Sequence, residues 1–272
     1  MSAEALRARL GRVLPPLVIV AALIGAWELA ARTGTLAGAL GLESFLVPSP
    51  SEIATALWED RSLLADNAWV TLGEILLGFG AAFVLGAVLA TVLHLSPLLR
   101  RALYPLVVAS QTIPILVVAP ILVVWFGFGI GPKVAIVALI CFFPIVVNAL
   151  DGLATADPEQ RKLMRSLGAG RARTFAWLEV PTALPYLLSG AKVAVAVAVI
   201  GAVFGEWSGS DSGLGHLIQL DNGQLEVARL FASVVVLSTM AILLFAAIGL
   251  IERRLAWWGG ADAPPKHNEG ER

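Results

Sequence analysis

The chain of 272 residues is 58% hydrophobic and only 14% charged, and its mean hydropathy is +0.82. Soluble domains carry about a quarter charged residues, so this composition excludes an ordinary soluble domain and indicates a protein of the lipid bilayer. The formal net charge of -1 gives no reason to expect nucleic-acid binding. The single cysteine, Cys141, excludes an internal disulfide and a cysteine-based metal cluster.

Six apolar segments are long enough to cross the bilayer as helices, which takes about 20 residues. The predicted spans are 13–32, 69–94, 103–126, 132–152, 184–206 and 229–251. Helices are expected because backbone groups exposed to lipid must be hydrogen-bonded within their own segment, and the alternating pattern of a membrane barrel is absent. The first span follows three arginines and imitates a secretory signal, but the five further spans favour an uncleaved membrane anchor.

The connections between these spans differ in their content of Lys and Arg, which predicts the orientation of the protein. The basic segments are 1–12, 95–102, 153–183 and 253–272. The three intervening loops together carry only Arg61 and Lys133 as basic residues. Both termini are therefore predicted to be cytoplasmic.

This pattern predicts three parts of an all-α membrane protein. Residues 1–12 form a cytoplasmic segment, and residues 13–252 form a six-helix transmembrane domain that includes the cytoplasmic loop 153–183. The tail 253–272 is rich in Gly, Pro and polar residues, which is typical of disorder.

The loop between the first two spans, 34–66, is predicted to contain a short interfacial helix that begins after Pro50. Ser49 or Ser51 is the candidate N-cap of this helix. Trp58 is expected at the level of the lipid headgroups.

Prolines inside two predicted spans indicate bent helices. The third span contains Pro114 and Pro120, and the fourth contains Pro144 with Asn148 one turn later. Because proline removes a backbone donor, another helix or a cavity must satisfy the freed carbonyl groups. Bent helices with amide side chains favour a transport pathway, and bends that only serve packing are the alternative.

The loop 153–183 carries the signals of a short, well-defined helix. Asp157 is the candidate N-cap, Pro158 occupies the first helical position, and the helix is predicted to run through Leu167 and stop at Gly168. A basic loop that only follows the positive-inside rule and attracts anionic lipid is the alternative.

A second short helix is predicted at about 171–180, with Phe175 and Leu178 on one side. Pro181 and Pro185 then limit how the fifth span begins. The predicted loop is therefore a compact helix-turn-helix on the cytoplasmic surface, with a glycine hinge at its middle.

The segment KLMRSLGAGRARTFAWLEVP resembles the signature loop of the permease subunits of ABC importers. That signature reads approximately E-A-A, three residues, G, about nine residues and I-x-L-P. The residues that match it in register are Gly168, Ala169, Leu178 and Pro181. The acidic start is replaced by Lys162-Leu163-Met164.

The resemblance implies the type I ABC importer permease fold in the cell membrane of a prokaryote. In that family the loop is a coupling helix that fits a groove on a cytoplasmic ATPase subunit. The residues that the resemblance assigns to ATPase coupling are Asp157, Lys162, Leu163, Met164, Arg165, Gly168, Ala169 and Pro181.

The chain itself is expected to bind no cofactor and to be no enzyme, because it lacks the phosphate-binding motif G-x-x-x-x-G-K-[ST]. ATP and Mg are expected on the partner ATPase subunits. The resemblance also implies an extracytoplasmic substrate-binding protein and a second permease, either another copy of this chain or a close relative.

Two further stretches, FLVPSPSEI and GEWSGSDSGLGHLI, resemble the nitrate/sulfonate/taurine branch of these permeases. Within that branch, the segments around Phe142-Phe143-Pro144 and Gly205-Glu206-Trp207 look most like permeases for the pyrimidine precursor of thiamine and riboflavin-type relatives. The resemblance implies a small heteroaromatic solute, and a sulfonate, taurine or nitrate is the alternative.

Polar groups at membrane depth usually face the interior of the bundle or a cavity, so they are the candidates for the solute path. The predicted path residues are Gln111, Thr112, Pro114, Asn148, Glu206 and Trp207. The amides of Gln111 and Asn148 donate and accept hydrogen bonds, which suits a neutral heteroaromatic ring. Glu206 is expected at the outer mouth with Trp207 stacked on a flat solute, and an interfacial carboxylate beside an aromatic-belt tryptophan is the alternative. Lys192 is expected to snorkel to the cytoplasmic interface.

Two other classes of membrane protein are less consistent with the sequence. An intramembrane enzyme is disfavoured because GEWSGSDSG lacks a histidine partner for a serine nucleophile and DGLATAD lacks a repeated aspartate pattern for metal. A secondary transporter is disfavoured because inverted internal repeats are absent.

Overall fold

The computed structural model describes residues 3–256, with side chains from residue 14 onward. All regular secondary structure within that range is helical. The α-helices are α1 (Ala3–Arg32), α2 (Thr35–Leu40), α3 (Pro50–Glu59), α4 (Arg61–Leu95), α5 (Pro97–Ser110), α6 (Ile115–Phe126), α7 (Ile130–Ala154), α8 (Pro158–Ser166), α9 (Arg171–Thr174), α10 (Val180–Trp207), α11 (Leu214–Gln224) and α12 (Val227–Leu255). A 3-10 turn covers Ser44–Leu46, and a π-helical turn covers Phe175–Glu179. The predicted tail lies largely outside the described residues.

Among the described residues, five continuous helical segments are long and apolar enough to cross a membrane. They are Leu14–Arg32, Arg61–Leu95, Ile130–Ala154, Arg171–Trp207 and Val227–Leu255. Each contains or closely matches one predicted span, so the first, second, fourth, fifth and sixth spans are confirmed as helices.

The third predicted span is not one bent helix. It is divided into α5 and α6, which meet at an angle of 100°. The break lies at residues 111–114, where Pro114 disfavours helical geometry in the residue before it and ends the run of backbone hydrogen bonds. Pro120 lies inside α6 without ending it, so only the first of the two prolines divides this segment.

The chain forms two compact units, of which one comprises the chain up to Trp69 together with Ser212–Leu237. Within this unit Ser49 caps α3 through a capping box with Glu52, which confirms the predicted helix and identifies its cap. Ser51 instead contacts Glu28 of α1, through its backbone N–H at 2.9 Å and its hydroxyl at 2.8 Å.

The second unit comprises Val70–Asp211 and the chain from Ser238 onward. Its helices α4, α7 and α10 approach closely because small residues lie at their interfaces. A Cβ added at Gly78 of α4 would lie 2.5 Å from the Cβ of Val137 on α7. A Cβ added at Gly190 of α10 would lie 2.7 Å from the Cβ of Asn148 on α7. Glycines of this kind let membrane helices pack backbone against backbone.

Helix α8 has the predicted caps. The side chain of Asp157 accepts the backbone N–H of Glu159 at 2.8 Å. At the other end Gly168 has a φ of 78°, and the N–H of Ala169 donates to the carbonyl of Met164 at 2.9 Å. This last bond and the left-handed glycine define a Schellman motif, so the helix ends one residue earlier than predicted but at the predicted glycine.

The prediction of a separate second short helix was wrong. Residues 171–207 form one continuous helical segment, in which α9 passes through the π-helical turn into α10. The N–H of Val180 donates to the carbonyl of Phe175, five residues back. This wider turn absorbs an extra residue directly before Pro181, and the chain therefore enters the fifth span without a break.

Candidate functional site

A buried group of polar side chains connects α4, α7 and the end of α10, and is called here the Lys133 cluster (Thr71, Glu74, Lys133, Glu206 and Ser210). Lys133 Nζ donates to Glu74 Oε1 at 2.7 Å and to Ser210 Oγ at 2.6 Å. Thr71 Oγ1 donates to Glu206 Oε1 at 2.6 Å. The Glu206 carboxyl also lies beside that of Glu74.

The cluster is almost inaccessible to solvent, since the exposed fractions of Glu74, Lys133 and Glu206 are 0%, 5% and 1%. Removing charged groups from water is costly unless they are paired and hydrogen-bonded, as the Lys133–Glu74 pair is. Among the described residues, Glu74 Oε2 has no hydrogen-bond partner. The cluster therefore fixes three helices at one level of the bundle.

A cavity of about 410 Å³ adjoins this cluster. The lining residues are Phe128, Gly129, Lys133, Gly209, Ser210 and Asp211. Lys133 thus contacts buried Glu74 on one side and faces the cavity on the other. Glycine is required at position 209, where φ is 156° and a Cβ would lie 2.9 Å from the ring of Phe128.

The predicted path residues do not come together in one place. The side chain of Glu206 is buried in the Lys133 cluster, while Trp207 is 42% exposed and packs edge-on against Phe204. Asn148 lies next to Gly190, 15 residues along α7 from Lys133, which corresponds to about 22 Å along the helix axis.

Asn148 and the corner between α5 and α6 have mainly local contacts. Asn148 Nδ2 donates to the carbonyl of Pro144 at 2.7 Å. Thr112 Oγ1 donates to the carbonyl of Ala109 at 2.8 Å. Gln111, Thr112 and Pro114 form the exposed break between α5 and α6.

A second polar group joins the loop 153–183 to the end of α4, and is called here the Glu179 cluster (His94, Leu95, Leu153, Arg161, Arg171 and Glu179). Glu179 Oε2 lies 2.9 Å from His94 Nε2, and Glu179 Oε1 lies 2.8 Å from Arg161 Nε. Arg161 also donates to the carbonyl of Leu153 at 3.1 Å. Arg171 donates to the carbonyl of Leu95. These contacts fix α8 and the π-helical turn against the ends of α4 and α7.

The π-helical turn determines where the Glu179 side chain lies. Because an inserted residue rotates the rest of the helix by about 100° relative to a regular α-helix, Glu179 reaches His94 while α10 keeps its packing against α7. In the same segment Phe175 lies 6.4 Å from the His94 ring, and Trp177 is exposed.

Lys192, which is predicted to snorkel to the cytoplasmic interface, also has a partner within the protein. Its ammonium group forms an ion pair with Glu252 of α12, and Ser189 Oγ donates to the same carboxylate at 3.2 Å. The pair is partly exposed and ties α10 to the last part of α12.

Some of the site residues that the sequence analysis did not identify carry a usable signal, because a charge within an apolar segment is rare and usually functional or paired. Glu74 and Lys133 lie in or at the edge of predicted spans, and this signal would have singled them out. His94 and Glu179 were not identifiable as partners because the sequence does not give their separation in space. Among the side chains of residues 14–256, no three His, Cys, Asp or Glu groups are arranged to hold a metal ion.

Long apolar helices, a buried ion pair between them and a capped helix tied to their ends define a multi-pass helical membrane protein. The model of the family described as "Binding-protein-dependent transport system inner membrane component" matches residues 82–257. The chain belongs to this family, and it is a multi-pass permease of the inner membrane from the ABC importer class.

Curated relatives cover most of the chain. The formylaminopyrimidine transport permease ThiX of Halalkalibacterium halodurans is 38% identical over 91% of this chain and 96% of its own length. The riboflavin transport system permease RibX of Chloroflexus aurantiacus is 34% identical over 80% of this chain and 82% of its own. The taurine transport permease TauC of Escherichia coli is 30% identical over 70% of this chain and 69% of its own.

The fold is similar to that of a solved chain from the MetNI methionine ABC transporter in an inward-facing conformation. The TM-score is 0.64 at 20% identity, over 72% of this chain and 98% of that chain. This similarity confirms the predicted type I permease fold.

Proposed function

We propose that this permease forms the translocation path for a small heteroaromatic solute related to the pyrimidine precursor of thiamine. The observation that carries the proposal is the 38% identity to a formylaminopyrimidine permease over nearly the full length of both chains. The riboflavin permease supports the same class, because its solute is also a flat heteroaromatic molecule. A sulfonate, taurine or nitrate is the alternative, and the taurine permease matches with lower identity over a smaller part of the chain.

The proposed orientation has both termini in the cytoplasm, with residues 1–12 and 253–272 outside the transmembrane domain 13–252. The distribution of Lys and Arg supports it. In this orientation the Lys133 cluster lies toward the extracytoplasmic side, where a substrate-binding protein delivers the solute. The Glu179 cluster lies on the cytoplasmic side.

The loop 153–183 is the proposed coupling loop, which docks on a cytoplasmic ATPase subunit that binds ATP and Mg. Exposed apolar residues on α8 and directly after it support this role, since Leu163 and Leu167 are 59% and 74% exposed. The proposed coupling residues are Asp157, Lys162, Leu163, Met164, Arg165, Gly168, Ala169 and Pro181. Within this set Arg165 lies on the face of α8 opposite to Leu163, so we do not propose that it contacts the ATPase itself. A second copy of the permease completes the translocation path between two such chains.

The proposed solute path retains Gln111, Thr112, Pro114, Asn148, Glu206 and Trp207, in distinct roles. Glu206 is a positioning residue, because its carboxyl is buried and hydrogen-bonded to Thr71. Trp207 is the surface on which a flat ring stacks, since its indole is partly exposed. Gln111 and Asn148 supply amide contacts farther along the path.

Reconstituted transport tests the solute. The permease, its ATPase and its binding protein are reconstituted with proteoliposomes, and uptake of labelled formylaminopyrimidine and of labelled taurine is measured separately. Uptake of the pyrimidine is then repeated with excess unlabelled taurine or nitrate. We expect ATP-dependent uptake that neither taurine nor nitrate reduces. Uptake of taurine without uptake of the pyrimidine would establish the alternative.

Co-purification tests the docking surface independently of the solute. Leu163→Glu and Leu167→Glu should each abolish recovery of the co-expressed ATPase with the tagged permease. Leu98→Glu is the control, because Leu98 is 76% exposed but lies in the first turn of α5. Equal ATPase recovery from all three variants would contradict docking at α8.

A further inference from the structure

A cavity of about 360 Å³ lies between α8, the π-helical turn and the end of α4. The residues lining it are His94, Leu95, Arg161, Arg165, Arg171, Thr174 and Glu179. Leu95 is the last residue of α4, a helix long and apolar enough to span the membrane. The second predicted span ends at residue 94, so the cavity lies at the predicted surface of the bilayer.

The cavity has an excess of positive charge. Three guanidinium groups line it against the single carboxylate of Glu179. That carboxylate is already paired with Arg161 and bonded to His94. Arg171 donates to the backbone carbonyl of Leu95, a neutral acceptor that leaves its charge uncompensated. The guanidinium of Arg165 makes no hydrogen bond or ion pair with the residues that the structure describes.

The arginines lie on the face of α8 opposite to its exposed leucines. Arg161 and Arg165 are four residues apart, as are Leu163 and Leu167, and the two pairs are about 200° apart around the helix. The leucine face is exposed, whereas Arg161 contacts Leu153 and Glu179 on the side of the transmembrane helices. A partner protein that covers the leucine face would leave the arginine face toward the membrane.

We propose that this cavity binds the phosphate group of an anionic phospholipid, which lies between α8 and the end of α4. A phosphate diester supplies the counter-charge that both Arg165 and Arg171 lack, together with acceptor oxygens for the Arg165 guanidinium. Basic pockets between membrane helices at a bilayer surface suit such headgroups. The inference is independent of the proposed solute.

Native mass spectrometry of the full-length chain tests this site. The protein is equilibrated in micelles with equal amounts of phosphatidylglycerol and phosphatidylcholine, and the lipids retained per chain are counted. We expect the wild type to retain phosphatidylglycerol in preference. Arg165→Gln should weaken that retention about fivefold, the effect of one arginine near an anionic surface.

Two variants serve as controls. Arg165→Lys keeps the charge and should retain phosphatidylglycerol. Arg173→Gln removes an equal charge from an exposed residue of the same loop that does not line the cavity, and should leave retention unchanged. The side chain of Arg165 makes no hydrogen bond or ion pair with the described residues, so an unchanged unfolding temperature is expected for Arg165→Gln.

Four results would overturn the proposal. Arg165→Gln retaining as much phosphatidylglycerol as the wild type would exclude a role for the cavity. Equal losses in Arg165→Gln and Arg173→Gln would indicate general attraction to the loop. A rise in unfolding temperature with inorganic phosphate in lipid-free detergent, without phosphatidylglycerol retention, would assign the site to free phosphate. Loss of the ATPase from Arg165→Gln with unchanged lipid retention would assign Arg165 to the protein interface.

Discussion

Glu179 accepts a hydrogen bond from His94 across 85 residues of sequence, with Nε2 and Oε2 2.9 Å apart. The imidazole N–H must be the donor, because an ionised carboxylate only accepts. The same carboxylate pairs with Arg161 of α8. Glu179 therefore connects α8 to the end of α4, and we expect a movement of α8 to reach that span through this carboxylate.

Glu179→Gln should uncouple ATP hydrolysis from transport. The amide keeps the shape of the side chain but removes the charge that holds His94 and Arg161 together. We expect transport per ATP hydrolysed to fall about 2- to 30-fold, the range for a residue within a coupling network. The measurement compares solute uptake and ATP hydrolysis by the reconstituted complex.

Glu159→Gln is the matched control for this prediction, because Glu159 lies on α8 but contacts none of the other helices through its carboxylate in residues 14–256. It should leave the ratio of transport to ATP hydrolysis unchanged. Recovery of the ATPase with the permease should be normal for both variants. A normal transport ratio in Glu179→Gln would exclude the Glu179 cluster from coupling.

Lys133→Met should strongly destabilise the fold. The substitution leaves Glu74 buried without its counter-charge, and breaking a buried ion pair in this way costs about 3–5 kcal/mol. The double variant Lys133→Met/Glu74→Met removes both charges and should recover most of that loss. Thermal unfolding in detergent measures the difference between the single and double variants.

Lys192→Met provides the comparison for the buried pair. The Lys192–Glu252 ion pair is partly exposed, with side-chain exposures of 24% and 22%, so its loss should cost about 0.2–1 kcal/mol. A similar loss of stability in Lys133→Met and Lys192→Met would show that burial does not determine how much the Lys133–Glu74 ion pair contributes to the stability of the fold.

Gly190→Ala should loosen the contact between α7 and α10. The added Cβ would lie 2.7 Å from the Cβ of Asn148 and 2.8 Å from the carbonyl oxygen of Pro144. Overpacking of this kind costs about 1–3 kcal/mol. Gly80→Ala adds the same methyl group to α4, where nothing lies within 4 Å, and should not lower the unfolding temperature. Equal unfolding temperatures for the two variants would contradict the close approach at Gly190.

Most of the fold follows from the sequence because the bilayer imposes long apolar helices with internal hydrogen bonds. The caps of α3 and α8 follow from local rules, since Ser49, Asp157 and Gly168 act within their own turns. The division of the third span and the π-helical turn before Pro181 depend on how neighbouring backbone groups are satisfied in space. The pattern of apolar residues along the chain does not indicate where a helix divides or widens in this way.

The candidate site was less predictable for a related reason. Glu206 was identified because it is a charge next to a span, but its burial depends on Thr71 and Glu74, which come from a helix more than a hundred residues earlier. His94 lies in the last turn of α4 and Glu179 lies in the π-helical turn, and only the tertiary fold makes them partners. Local signals therefore identified α8 of the loop 153–183 but neither the continuous helical segment that follows it nor the contacts that join this loop to α4.

Gly168→Ala should weaken the end of α8 without creating a steric clash. The φ of Gly168 is 78°, a conformation that costs a residue with a Cβ about 1–2 kcal/mol, yet nothing lies within 4 Å of the added methyl group. Strain at Gly168 should therefore break the hydrogen bond from Ala169 to Met164. Amide hydrogen exchange at Ala169, and ATP hydrolysis stimulated by the solute-loaded binding protein, measure the two consequences. Exchange should become faster and stimulation should fall.

Gly170→Ala is the control for Gly168→Ala, since Gly170 has a φ of -69° and also has open space around it. That conformation suits alanine, so both measurements should match the wild type. Unchanged exchange and stimulation in Gly168→Ala would show that the left-handed glycine is not needed to end α8 or to couple it to the ATPase.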